Sequence, residues 1–165
     1  MQELIYVPPG GSIVDLSRCA EFKFQEPYLL SEISGISGMD YSMVTSEAAG
    51  IDGVIVHGLH VPSREIPCTV YVKGDTRQKM YQNRFDLISK LAPRQEPGEL
   101  RYRNDYISVK IKAYPTLPAN FTERINSYNK CSVTFNAPEP YWEALENENV
   151  GIAYQENIGF KFPLC

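Results

Sequence analysis

His57 and His60 stand three residues apart in "HGLH", with Glu65 and Cys68 just downstream, and imidazole, carboxylate and thiolate are the ligands zinc takes. The spacing does not build a site. Residues three apart on a strand face opposite ways, and Gly58 between the histidines disfavours the helix that would bring them together. Exposed or structural histidines are the expectation, with no metal.

The other chemistries meet the same difficulty. Neither a G-x-S-x-G turn nor a catalytic-cysteine signature is present to supply an activated nucleophile. "PPGGS" at 8–12 is glycine-rich but lacks the lysine and the spacing of a phosphate loop. Glu146 and Glu148 lie in a polar stretch where acids are solvated charge. Asn120-Phe121-Thr122 matches a glycosylation acceptor, which has meaning only in a secretory pathway. The expectation is a non-enzyme with no catalytic residues and no cofactor.

Composition narrows the partners. At 165 residues, 43% hydrophobic and 22% charged, the chain has ordinary globular composition and length for one domain with a core. A net charge of −4, a pI near 5.2 and scattered basic residues disfavour a phosphate-gripping surface, so no sequence-specific nucleic acid binding is expected. No apolar run is long enough to span a membrane, and "MQEL" does not open a signal sequence; a soluble, unprocessed protein is expected. Cys19, Cys68, Cys131 and Cys165 are far apart and share no C-x-x-C spacing, so reduced thiols are expected. Two of them fall on the apolar side of strand patterns, where free cysteine acts as a small hydrophobe.

The elements follow from periodicity. "LIYVPPGGSIVDL" reads as strand, turn, strand, or alternatively as a loose N-terminal arm. In "REIPCTVYVKG", Ile66, Cys68, Val70 and Val72 alternate against Thr69, Tyr71 and Lys73, the period of a half-buried strand. Ile107, Val109, Ile111 and Ala113 repeat the alternation, as do Cys131, Val133 and Phe135. Between them, Met80, Tyr81, Phe85, Leu87, Ile88 and Leu91 recur at helical spacing, predicting one principal helix over about 75–92. Asp75 is the expected cap, with Gln78 completing a capping box and Pro93 stopping the helix. Arg84 falls inside the apolar arc and has two readings: a stem on the core with its head in solvent, or a paired interface arginine. The sum is an α+β fold, mainly antiparallel β as a two-sheet sandwich, with one helix on a face.

Two segments stand apart from this core. Residues 39–67, punctuated by Gly50, Gly53 and Gly58, read as a long β-hairpin arm. Val54, Ile55 and Val56 form an apolar run beside Gly53, and exposed runs of this kind mark contacts. An oligomer interface is therefore expected at Val54, Ile55 and Val56, with Arg84 as a further candidate. In "SVTFNAPEPYWEAL", Pro138 and Pro140 end the preceding strand and stiffen the exit, while Tyr141 and Trp142 plug the rim of the core. Residues 1–142 are then expected to form the domain, and 143–165, ending in "GFKFPLC", a linker and the start of a missing or truncated C-terminal domain.

Taken in order, "LLSEISGISG", "GIDG", "REIPCTVYV", the helix, "LAPRQEPGELRY", "YISVKIKAY" and "VTFNAPEPYW" resemble the N-terminal domain of the siphophage distal tail (Dit) family, within the Sipho_tail family of phage tail components. The resemblance covers about residues 29–142. It implies a structural virion tail protein, assembled in the host bacterial cytoplasm. Its implied form is a homo-hexameric ring joining the tail tube protein to the tail-tip or baseplate hub protein around a DNA channel, with no membrane partner. The rival reading is a stand-alone β-rich module binding host cell-wall carbohydrate, which needs an exposed aromatic platform.

Overall fold

A computed structural model describes residues 2–17, 27–47, 49–50, 52–116, 120–125 and 128–145. Cys19, Cys165, Glu146, Glu148, the "GFKFPLC" piece, the rest of the expected linker beyond Leu145 and the side chains of Asn120 and Thr122 lie outside the described residues. In chain order the elements are β1 (Glu3–Val7), β2 (Val14–Asp15), β3 (Tyr28–Ile33), β4 (Ser42–Ser46), β5 (Ile55–His60), β6 (Arg64–Lys73), α1 (Arg77–Lys90), β7 (Gly98–Arg103), β8 (Ser108–Pro115), β9 (Asn120–Ile125), β10 (Tyr128–Ala137) and β11 (Glu143–Ala144).

Period-two alternation sets the central ladder. Ile66, Cys68, Val70 and Val72 are all buried, and β6 pairs along its whole length with β10, from Arg64 opposite Ala137 to Lys73 opposite Tyr128. Cys131, Val133 and Phe135 supply the facing apolar row on β10. Cross-strand pairs of this kind are the unit of sheet stabilisation. β3 flanks β6 and β9 flanks β10, completing one layer.

The second layer runs β2-β1-β7-β8, with β11 on the far side of β8. It joins the first where Tyr114 and Pro115 at the end of β8 pair with Asn136 and Phe135. Every described strand pair is antiparallel. The inner faces meet between the layers, where the Tyr6 and Phe135 rings lie 5.1 Å apart. This is the expected sandwich. The loose-arm alternative for the N-terminus fails, because Leu4 and Tyr6 are buried on β1, which is laddered to β7.

Ile107 departs from its expected place in the inward row. It sits in the β7–β8 turn, where Asn104 Oδ1 accepts from the backbone N–H of Tyr106 and Ile107 at 2.8 Å each, and it is 41% exposed. An Asx-type turn outcompetes the strand there, and the inward row begins at Val109.

The helix forms, with corrected details. Thr76, not Asp75, is the N-cap: its hydroxyl accepts from Lys79 N–H at 3.1 Å, and the expected Asp75–Gln78 capping box is lost, because the residue three after Thr76 is a lysine, whose side chain has no acceptor. Only Met80, Leu87 and Leu91 of the apolar arc are buried, while Tyr81, Phe85 and Ile88 stay at the surface. The expected packing through Ile88 is thus wrong. Those buried residues occupy one edge of the arc, and the layer beneath reaches no further round the helix.

Polar contacts fix the helix to the sheet. Asn83 Nδ2 donates to the Lys73 carbonyl at 2.6 Å, and the Tyr28 hydroxyl donates to Asp86 Oδ2 at 2.8 Å. Burial, reinforced by Asp86, raises the Tyr28 pKa, so the phenol keeps its proton. Burial alone would raise the Asp86 carboxyl, but hydrogen bonds from Lys90 and Tyr28 outweigh it and hold the group below its ordinary value. A carboxylate depressed in the folded state stabilises above its unfolded pKa, and this contribution fades as pH falls through the folded value.

Candidate functional site

The hairpin of β4 and β5 is a separate 2-stranded sheet that the core does not cover. Every residue of β4 is exposed, and so is every residue of β5 except the half-buried Gly58. Among the expected contact residues, Val54 is 53%, Ile55 46% and Val56 52% exposed. Met43 opposite Leu59 and Thr45 opposite Val56 put an apolar row on one face, and Ser46 opposite Ile55 belongs to the other. Gly53 sits at the tip at φ 97, in open space, so its role is to turn the chain rather than to allow a close approach. The arm is shorter than the 39–67 expectation, since from Arg64 onward the chain already belongs to β6.

A bulge at His57 alters the histidine reading. Val44 pairs with Gly58 and Thr45 with Val56, leaving His57 as the extra residue. His57 Nε2 lies 2.6 Å from Ser46 Oγ, on the face where His60 stands opposite Ser42. The bulge therefore cancels the alternation that was expected to part the two histidines. No group of three or more His, Cys, Asp or Glu residues placed to hold a metal occurs among the described residues.

The base of the arm is held by a residue the sequence reading missed. Arg64 is only 8% exposed, donating from Nε to the Pro140 carbonyl at 2.7 Å and from Nη1 to the Gly35 carbonyl at 2.5 Å. One guanidinium thus clamps the loop after β3, the start of β6 and the exit after β10. Gly35, at φ 77, has no room for a side chain, because a Cβ would run into the Glu65 carbonyl. A cleft of about 320 Å³ opens beside this clamp, lined in part by Met39, Asp40, Pro62 and Arg64. The signal was present: by period two, Arg64 falls on the inward face with Ile66 and Cys68. Arg64→Ala should cost about 1.5–3 kcal/mol of unfolding free energy in a urea titration, because charge-assisted bonds are lost and two carbonyls are left unpaired.

At the exit, β10 stops at Ala137, immediately before Pro138. Pro138 is exposed and Pro140 buried. Trp142 packs against the core, but Tyr141 is 61% exposed and does not share in the plug. Glu143 and Ala144 then ladder onto β8, and Leu145 N–H donates to the Ser108 carbonyl at 3.0 Å, so the described chain stays on the sheet through that point.

Arg84 is half-buried, as the reading of a stem on the core with its head toward solvent expects. Its guanidinium stacks 4.1 Å from the centre of the Phe121 ring and 5.5 Å from that of Tyr81, a cation–π contact inside the chain at the edge of the helix surface. Cys68 and Cys131 are buried free thiols pushed up to about 12 by burial, which keeps them protonated and inert at neutral pH.

Comparison with known proteins places this arrangement. The profile of the phage tail protein RIFT-related domain (Sipho_tail) matches residues 17–137. The crystal structure of phage SPP1 Dit, a paradigm of the hub adsorption apparatus in phages infecting Gram-positive bacteria, superposes with a TM-score of 0.65 at 19% identity, covering 87% of this chain and 52% of that one. Two structures of the phage p2 baseplate in its activated conformation, with Sr and with Ca, each match with a TM-score of 0.61 at 14% identity, covering 83% of this chain and 44% of theirs. The chain spans about half the length of these solved proteins. At such identities the likeness is one of fold. A search of curated proteins returns no match.

Proposed function

The chain belongs to the phage tail protein RIFT-related (Sipho_tail) family, and from that premise we propose that it is the ring-forming part of a distal tail protein, joining the tail tube to the tail-tip or baseplate hub around a channel for DNA. The observation that carries this reading is the hairpin. A folded body that leaves an apolar two-stranded arm outside its core has surface to bury against a neighbour, and repeated head-to-tail contacts between unlike patches close into a ring when the rotation allows. The net charge of −4 supports the channel, since an acidic wall does not hold a phosphate backbone. The role is structural, with a six-fold ring as the expected form.

The direct test is reconstitution. Full-length protein mixed with the tail tube and hub proteins of its phage should appear by electron microscopy as a ring seated between the two. Tube and hub that join without it, or that ignore it, overturn the reading.

A further inference from the structure

The outer stripe of α1 is a further surface left exposed among the described residues. Tyr81, Phe85 and Ile88 are 36%, 71% and 37% exposed, and at 3.6 residues per turn they follow one line with Arg77. Arg77 and Arg84 both stand over the Tyr81 ring, at 5.8 and 5.5 Å. The acid of the helix, Asp86, is turned away and bound to Tyr28 and Lys90. The stripe is therefore aromatic and cationic.

The hairpin has the complementary character. Its charged residues from Met39 to His60 are Asp40, Glu47 and Asp52, all acidic, with no lysine or arginine, and Glu47 and Asp52 flank the tip. The two surfaces leave the body from opposite ends of β6: the arm enters at Arg64 and the helix follows Lys73, about 30 Å apart along a strand of ten residues. The exposure of both shows that they do not cover each other within one chain.

We propose that the hairpin of one copy seats on the Arg77, Tyr81, Phe85 and Ile88 stripe of the next copy, its tip acids against the arginines. The proposal rests on the ring reading above and adds the surface that receives the arm. Each copy offers one arm and one stripe, so the contact is heterologous and propagates from subunit to subunit. Opposed charge steers the approach and fixes the register, while apolar burial supplies the affinity.

Charge reversal with rescue tests it, using full-length protein whose fold is checked by circular dichroism and thermal melting. Glu47→Lys with Asp52→Lys, and separately Arg77→Glu, should each raise the chain concentration needed for assembly about tenfold or more, and the chain carrying all three should return to within about threefold of the unsubstituted protein. Phe85→Ser, at an exposed site, should weaken assembly without changing the melt. If both reversals weaken assembly and the combination does not recover, the direct pairing is wrong. If the hairpin reversal acts while Arg77→Glu and Phe85→Ser do not, the arm docks elsewhere and the ring reading stands. If the unsubstituted protein stays monomeric, both fall together.

Discussion

Phe135→Ala is expected to cost about 3–5 kcal/mol of unfolding free energy. Phe135 is fully buried on β10, at the strand position where the two layers join through Pro115, and its ring meets Tyr6 from the other layer. Removing it opens a cavity where, among the described residues, both sheets share a ladder, and the rigid pairing on each side limits collapse. Phe85→Ala supplies the control. The same truncation at a site 71% exposed should change the stability of the monomeric chain by no more than about 0.5 kcal/mol. Urea titration of both variants reads the difference; equal losses would mean that the sandwich is not closed at Phe135.

Ile55→Asp is expected to abolish assembly and spare the fold. Ile55 is 46% exposed on an arm none of whose β4 or β5 residues belongs to the described buried cluster, so aspartate costs the monomer almost nothing. In an assembled contact it places an unpaired carboxylate in apolar surroundings, at several kcal/mol. A cost of about 3 kcal/mol at each contact weakens it more than a hundredfold, and a closed ring repeats the penalty at every interface. Light scattering should show single chains with an unchanged melting curve. An intact ring after Ile55→Asp would remove the hairpin from the interface.

The core was legible because burial writes itself into a strand with period two. Ile66 to Val72 and Cys131 to Phe135 needed no tertiary knowledge to be assigned to one face. The helix was legible as an element but not in its details. Asp75 and Thr76 are both competent caps, and only the backbone geometry at Thr76 decides between them. Periodicity drew an apolar arc from Met80 to Leu91, but the width of the sheet beneath decides how much of it is buried, and that width is a property of other segments.

The hairpin was legible from its glycines and from apolar residues that match no core pattern. Its bulge was not, because nothing in "IVHGLH" marks which residue is extra, and that residue decides which face His57 takes. Arg64 was legible in its periodicity and was overlooked because an arginine at the start of a strand is ordinarily a solvated end. Its burial depends on carbonyls from Gly35 and Pro140, which are distant in sequence and converge only through the fold.

The central claim is that this domain builds a ring through its exposed arm, and the mass of the full-length protein in solution tests it most directly. Light scattering at tail-assembly concentrations, alone and with the tail tube protein, should give a closed multiple of the chain mass, six copies being the expected number. A single-chain mass under both conditions would contradict the account.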